Sequence, residues 1–275
     1  MLRTRVITAL LLLAVLLPIL YFNYFPAFAV VSALFFAAAI WECARLFGSA
    51  NKSALIWGLA ALFLFASILY RDGGGPNIGL LFALCVAIWC VRFVPSLALG
   101  LPALASVRNR LVAATYATAI LGCFLAIVVL FAHSPLYLLS VMTIVWAADI
   151  GAYFSGKAFG RHKLAPSISP GKSWEGAVGG WCLVLILGAL LSVVPTLADT
   201  FPARLLAAWS WPGWLGVMTV LVAASVVGDL FESQLKRRAG FKDSSNLLPG
   251  HGGVLDRVDA LIPVLPLAAL LSLWF

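Results

Sequence analysis

The chain has 275 residues, of which 63% are hydrophobic and 10% are charged, and its mean hydropathy is +1.07. These values exclude an ordinary soluble domain, in which about a quarter of the residues are charged. The formal net charge of +8 could indicate nucleic-acid binding, but the placement of the basic residues, described below, favours a membrane protein that binds no nucleic acid.

Nine apolar stretches follow one another along the chain, each near the roughly 20 residues that a helix needs to cross a bilayer. They occupy about 6–24, 27–47, 54–70, 78–94, 111–131, 136–159, 175–194, 215–231 and 258–275. Their lengths are helical, without the ten-residue alternation of outer-membrane strands. We therefore predict an all-α polytopic integral membrane protein with about nine transmembrane helices. The first should remain attached, because it exceeds the apolar core of a signal peptide.

The basic residues predict the orientation. If nine spans alternate from an N-terminus inside the cell, sixteen of the eighteen Lys and Arg residues fall on the inner side. Only Arg71 and Arg204 remain outside. This bias is the positive-inside pattern of membrane proteins. It predicts a cytoplasmic N-terminus, a C-terminus outside, and cytoplasmic polar loops.

The two halves of the chain differ in polarity. Residues 1–140 carry few charges, which predicts an N-terminal transmembrane scaffold. Within it, Glu42 precedes Arg45 by three residues, a spacing typical of an ordinary pair at the membrane interface. Residues 141–275 contain two dense polar segments, which predicts a C-terminal transmembrane catalytic region with cytoplasmic loops.

The first polar segment begins inside a span. Asp149 precedes Lys157 by eight residues, about 12 Å along a helix, and an acid at that depth is a functional candidate. A basic loop follows at 161–173. There Ser173 is expected to cap a helix with Glu175 in its first turn, so that Lys172 and the free amides form an anion site. The loop lacks the first glycine of a nucleotide-binding P-loop.

The second polar segment, 225–259, contains five of the ten acidic residues of the chain. Asp229, Ser233 and Lys236 or Arg237 share one face of a helix by their spacing. A glycine-rich loop follows, and Asp256 and Asp259 then share a face at the start of the last span. Carboxylates at two facing helix ends predict a divalent-metal site beside phosphate-binding basic residues.

These residues carry a resemblance to a known family. The run at 233–259, SQLKRRAGFKDSSNLLPGHGGVLDRVD, resembles the signature of phosphatidate cytidylyltransferase, also called CDP-diacylglycerol synthase. Residues 228–230 (GDL) and 169–176 (SPGKSWEG) are similar to that family as well. The resemblance implies an enzyme of phospholipid biosynthesis that joins CTP and phosphatidic acid into CDP-diacylglycerol and releases pyrophosphate.

The family resemblance also implies roles for individual residues. The implied catalytic residues are Asp229, Ser233, Lys236, Arg237, Asp256, Arg257 and Asp259. The residues implied to bind CTP are Asp149, Lys172, Lys242, His251, Gly252 and Gly253. Asp229 and Asp256 would hold Mg²⁺, as one cation or two. The expected partners are CTP, phosphatidic acid, membrane lipids and a second copy of the chain, in a bacterial inner membrane with the active site facing the cytoplasm.

Two other functions fit parts of the pattern. A CTP-dependent polyprenol or lipid kinase would transfer the γ-phosphate and release CDP in place of pyrophosphate. An ion-coupled transporter would also need acids within the membrane, but transporters place them near the midplane of repeated halves. Here most acids lie at one predicted face, and the sequence has no internal repeat.

Overall fold

Eleven helices and one short hairpin form the part of the chain that the computed structural model describes, residues 2–71 and 77–275. The helices are α1 (Leu2–Tyr21), α2 (Phe25–Leu46), α3 (Asn51–Arg71), α4 (Ile78–Ile88), α5 (Val94–Leu99), α6 (Val107–His133), α7 (Pro135–Phe159), α8 (Trp174–Val193), α9 (Phe201–Ala239), α10 (Leu255–Val258) and α11 (Leu261–Leu271). A π-helical stretch, Trp89–Phe93, joins α4 to α5. Strands β1 (Lys163–Ala165) and β2 (Ser169–Ser173) pair antiparallel.

Within these ranges, eight helical segments are long and apolar enough to cross a bilayer, which confirms the predicted polytopic all-α fold. The ninth predicted span differs, because the helix is interrupted between α10 and α11 and Leu261–Trp274 is shorter than the other spans. Most side chains of α11 are buried against neighbouring helices. Since protein and not lipid surrounds it, α11 does not need the length that a bilayer imposes.

The helix bundle has two chemically different ends. The end that carries the loop between α9 and α10, here called the polar end, is identified by the contacts Thr8–Pro249, Glu42–Leu255, Asn109–Phe47 and Lys172–Asp229. The opposite end is identified by the contacts His133–Asp199, Tyr137–Ser272 and Phe201–Phe275. The start of α1 therefore lies at the polar end, and the C-terminal residue lies at the opposite end.

An aromatic cluster fixes the rotation of α9 about its own axis. Phe231 is fully buried, and its ring centroid lies 4.5 Å from that of Phe93 and 5.0 Å from that of Tyr116. Successive helical residues turn by about 100°, so residues two positions apart point in nearly opposite directions. Burial of Phe231 in this cluster therefore directs Asp229 and Ser233 to the other side of α9.

Small residues allow α7 and α8 to pack closely. A methyl group on Gly180 of α8 would overlap the carbonyl oxygen of Ala148 on α7. A methyl group on Gly151 would lie 2.8 Å from the Gly180 Cα atom, closer than real contacts allow. The hairpin that connects the two helices is thereby held beside α9, where the candidate site lies.

Candidate active site

A buried carboxylate from the N-terminal half fixes the loop between α9 and α10. Glu42, on α2, is fully buried. Its Oε1 accepts hydrogen bonds from the Ser245 hydroxyl at 2.5 Å and from the Val254 amide at 3.0 Å. Its Oε2 accepts from the Leu255 amide at 2.7 Å and from the Ser244 hydroxyl at 3.1 Å. Glu42 therefore connects α2 to both the middle of this loop and the start of α10.

The predicted pairing of Glu42 with Arg45 is wrong. The Arg45 guanidinium instead lies over two aromatic rings, 4.8 Å from the centroid of Trp41 and 5.8 Å from that of Phe241. A Glu three residues before an Arg is typical of a local pair, and the actual partners of Glu42 are more than 200 positions away. The pattern around Glu42 carries no sign of them.

Asp256, on α10, is held by several donors. Its Oδ2 accepts from the amide and the hydroxyl of Ser244, both at 2.9 Å, and from the Gly253 amide at 2.8 Å. Its Oδ1 accepts from Lys236 Nζ at 2.7 Å. Burial opposes the charged form of Asp256, but the Lys236 ammonium and the Gly253 amide bring its pKa below the ordinary value. Asp256 is therefore ionised at neutral pH, and Lys236 is its counter-ion.

A second acid, Glu232, shares Lys236 with Asp256. The Glu232 carboxylate forms an ion pair with Lys236 one turn along α9, and its side chain is fully buried. No hydrogen bond reaches Glu232 Oε1 from the described residues. A buried acceptor without a donor is costly, so a cation or a further donor beside this oxygen would be favourable. No role was predicted for Glu232, although an acid in an apolar helix four residues before a lysine was the available signal.

A cavity of about 510 Å³ lies between α7, α8 and α9, and we call it the Lys172 cavity. Lys172 Nζ forms an ion pair with Asp229 Oδ2 at 2.6 Å, and the Ser233 hydroxyl donates to Asp229 Oδ1 at 3.3 Å. Asp149 lines the same cavity. The rest of its wall is largely small and apolar and includes Ala148, Ala152, Ala177, Gly180, Val222 and Val226. The cavity thus combines a charged region with a wall suited to hydrocarbon.

The start of α8 forms as predicted. The Ser173 hydroxyl accepts a hydrogen bond at 3.2 Å from the amide three residues later. Glu175, in the first turn, accepts from the amides of Arg161 and His162 at 3.1 and 3.2 Å, and its Oε1 lies 2.6 Å from His162 Nδ1. These bonds hold 161–173 as the β1–β2 hairpin, where the sequence predicted a loop.

A second cavity, also of about 510 Å³, lies on the outer side of the loop between α9 and α10, and we call it the His251 cavity. Lys242, His251, Gly252 and Arg257 line it. Arg257 Nε and Nη2 donate to the carbonyl of His251 at 2.9 and 2.6 Å. This double hydrogen bond orders the turn that carries His251 at the border of the cavity.

Gly253 is expected to tolerate no side chain. A methyl group there would overlap Ser244 Oγ and Glu42 Oε1. Gly253→Ala should therefore destabilise the loop by about 1–3 kcal/mol, as overpacking does elsewhere. A lower thermal unfolding midpoint in detergent and faster proteolysis within 241–253 would support this expectation. Gly216→Ala, on α9 with no heavy atom within 4 Å of the added methyl group, is the control and should neither lower the midpoint nor speed proteolysis.

The predicted site residues fall into two groups at the polar end. The Lys172 cavity and its edge contain Asp149, Lys172, Asp229 and Ser233. The loop with its supports contains Lys236, Lys242, His251, Gly252, Gly253, Asp256 and Arg257. Asp259 lies between the groups, near enough to Asp229 and Lys236 for their charges to interact. Arg237 is exposed and lines neither cavity.

The acids of the site are suitable ligands for a divalent cation, but their side chains do not converge on one position. Within the described ranges, no three acidic, His or Cys side chains surround a common metal position. Asp229 and Asp256, the predicted Mg²⁺ ligands, are each paired with a lysine. Five acids nevertheless lie in this region, and Glu232 Oε1 has no hydrogen-bond donor within the described ranges. The acids are Asp149, Asp229, Glu232, Asp256 and Asp259.

The fold and the site together define an integral membrane protein whose polar end carries paired lysines and carboxylates beside two cavities. Over residues 3–275 the chain matches the cytidylyltransferase family, and it belongs to that family. The family resemblance stated from the 233–259 run is thereby confirmed. The chain is thus classed as a nucleotidyltransferase.

Named relatives agree with this classification. The chain is 40% identical to the phosphatidate cytidylyltransferase of Pseudomonas aeruginosa, an alignment covering 100% of this chain and 97% of the relative. It is 36% identical to that of Haemophilus influenzae, covering 97% and 96%. With the corresponding protein of Staphylococcus aureus, identity is 43% over 49% of this chain and 48% of the relative.

Proposed function

We propose that this protein transfers a cytidylyl group from CTP to phosphatidic acid, giving CDP-diacylglycerol and pyrophosphate. The observation that carries the proposal is the Asp256–Lys236 ion pair at the polar end of a membrane bundle. The Lys172 cavity and the His251 cavity lie at the same end. Both substrates are polyanions, and cationic side chains are needed to bring them together. The names of the two full-length relatives support the same substrates.

The two cavities suggest how the substrates are divided. The Lys172 cavity is bordered by two lysines, Lys157 and Lys172, beside alanine, glycine and valine, which suits the phosphate and acyl chains of a lipid. The His251 cavity is bordered mainly by polar side chains, which suits a triphosphate. We therefore propose that Asp149 and Lys172 serve the lipid, although the sequence analysis assigned them to CTP. Lys242, His251, Gly252 and Gly253 keep their proposed role in CTP binding.

The proposed reaction needs no activated serine or cysteine. An anionic oxygen of the lipid phosphate attacks the α-phosphorus of CTP, and the bond from that phosphorus to the bridging oxygen of the β-phosphate breaks. Pyrophosphate leaves with the bonding electrons. At an effective dielectric constant of 20, two unit charges 4 Å apart interact by about 4 kcal/mol. Lys172, Lys236 and Arg257 would therefore act mainly by reducing repulsion between the substrates.

We propose that Mg²⁺ takes part, held by carboxylate oxygens of Asp229 and Asp256 together with substrate phosphates. This ion commonly binds to a few protein carboxylates and otherwise to phosphate oxygens and water. When bound it would neutralise charge on the triphosphate. The number of acids at the site and the Glu232 oxygen without a hydrogen-bond donor support a cation there.

We also propose that the polar end faces the cytoplasm of a bacterial inner membrane. Sixteen of eighteen basic residues on one side support this orientation, with the N-terminus inside and the C-terminus outside. Single cysteines at 108 and 275 in a variant without native cysteines should label from opposite sides of sealed vesicles. Labelling of both from one side would contradict it. A homodimer remains a prediction from the family resemblance.

The direct test is purified protein in detergent with CTP, phosphatidic acid and Mg²⁺. Pyrophosphate and CDP-diacylglycerol should form only when all three are present. Release of CDP with phosphorylation of an added polyprenol would favour the kinase. Absence of turnover under conditions in which the Pseudomonas aeruginosa relative is active would reject the proposed reaction.

The assignment of the lipid to the Lys172 cavity makes its own prediction. Lys172→Ala should lower kcat/KM for phosphatidic acid by about 10–100-fold at saturating CTP, because a charge-assisted bond to the lipid phosphate is lost. Lys163→Ala removes an exposed lysine from the same hairpin and should have little effect. An equal effect of the two variants, or an effect of Lys172→Ala on CTP alone, would contradict the assignment.

A further inference from the structure

The first helix reaches the candidate site although it packs little against the bundle. Among residues 4–21 of α1, only Ile19, near the end far from the site, is buried. At the polar end, however, the Thr8 hydroxyl donates to the Pro249 carbonyl at 2.9 Å, with the Thr4 carbonyl at 3.1 Å as its other acceptor. The start of α1 is therefore tied to the loop between α9 and α10.

Arg5 lies against the turn of that loop. A side chain on Gly250, whose φ is +77°, would lie 2.9 Å from Arg5 Cγ and 3.3 Å from its backbone nitrogen. The absence of a side chain at Gly250 thus lets Arg5 approach the turn. Its side chain is exposed to the His251 cavity, and no ion pair of Arg5 is present within the described ranges.

With Arg5 included, the His251 cavity has a clear excess of positive charge. Arg5, Lys242 and Arg257 contribute three cations, and Asp243 contributes the only carboxylate among its lining residues. Thr4 and Asn246 add polar groups. A space of about 510 Å³ bordered by such groups is large enough for a diphosphate. Guanidinium groups suit phosphate because they offer several donors in a plane.

We propose that Arg5 is a phosphate-binding residue, supplied by α1, that holds the β- and γ-phosphates of the nucleoside triphosphate and then the pyrophosphate product. The proposal rests on the proposed function and extends it to a part of the chain that the sequence analysis assigned to scaffold. Thr8 is a positioning residue, because its bond to Pro249 sets the start of α1 against the loop. The exposed location of the cavity provides the pyrophosphate with a route to solvent.

The binding test uses magnesium pyrophosphate as the probe and isothermal titration calorimetry of the full-length protein in detergent. Arg5→Ala should weaken pyrophosphate binding by about ten-fold or more. Arg5→Lys should restore part of the affinity, and Thr8→Val should weaken binding less than Arg5→Ala does. Arg108→Ala removes an exposed arginine at the same end of the bundle, outside the His251 cavity, and is the matched control. It should bind pyrophosphate as the wild type does.

Steady-state kinetics provides the second readout. Arg5→Ala should raise KM for CTP and the inhibition constant of pyrophosphate about ten-fold, with KM for phosphatidic acid unchanged. Equal values for Arg5→Ala and Arg108→Ala in both experiments would overturn the inference. A wild type that binds pyrophosphate through Arg5 but does not turn over CTP with phosphatidic acid would leave the anion site standing and reject the proposed function.

Discussion

Glu42→Ala is expected to abolish turnover and to reduce the free energy of unfolding by about 3–5 kcal/mol, the range seen when a buried charged partner is removed. Four donors, two hydroxyls and two amides, would lose a common buried acceptor. The loop between α9 and α10 would no longer be joined to α2, and Asp256 would lose the fixed Ser244 beside it. Pyrophosphate release and thermal unfolding in detergent measure the two effects.

A conservative variant and a distant one sharpen this prediction. Glu42→Gln keeps the shape of the side chain but places the amide NH₂ group against two of the donors. An intermediate loss of turnover and stability is therefore expected. Asp199→Asn removes an acid that also has several partners, His133, Ser134 and Arg204, but at the opposite end of the bundle. It should retain turnover. Wild-type activity and unfolding midpoint in Glu42→Ala would contradict the role given to Glu42.

Asp256→Asn is expected to lower turnover by at least about 100-fold, comparable with the loss of one electrostatic group in other active sites. The neutral side chain of asparagine cannot serve as a counter-ion for Lys236. Its NH₂ group would also face Lys236 or Ser244, which now donate hydrogen bonds to Oδ1 and Oδ2. The helices should stay folded, because the contacts of Asp256 are confined to the loop and α9. Pyrophosphate release and the helical circular-dichroism signal are the measurements.

Lys236→Met tests the same ion pair from its other side. It leaves Asp256 and Glu232 without their shared lysine, so it should destabilise the protein strongly. Adding Asp256→Asn removes one of the two uncompensated charges and should recover part of the stability but none of the turnover. Stability losses that simply add in the double variant would show that the pair is not coupled.

Local patterns in the sequence predicted most of the fold. Apolar runs of about 20 residues located the long spans, since a bilayer sets their length. Ser173 was recognised as the cap of α8 because capping uses neighbouring residues. The face shared by Asp229 and Ser233 also follows from helical spacing alone, and the two side chains are hydrogen-bonded.

The contacts that shape the site were not predictable in this way. Glu42 and Arg5 are each separated from the loop by about 200 residues or more of sequence. The residues around them give no indication of a distant partner. The hairpin at 161–173 depends on hydrogen bonds that the backbone amides of Arg161 and His162 donate to Glu175, and such bonds leave no apolar pattern. The break before α11 was missed because Asp259 and Ala260 keep helical φ and ψ angles and no helix-breaking residue marks it, while burial by other helices relaxes the length of α11.

The hydrogen bonds of Glu42 also have a consequence for biosynthesis. Its nearest and farthest partners in the sequence are 202 and 213 positions downstream. At bacterial translation rates the ribosome needs roughly 10–40 s to synthesise that interval. During this time the carboxylate of the second span must be satisfied by water, a proton or a temporary neighbour. The nascent chain therefore acquires a competent site only when its last segment has inserted.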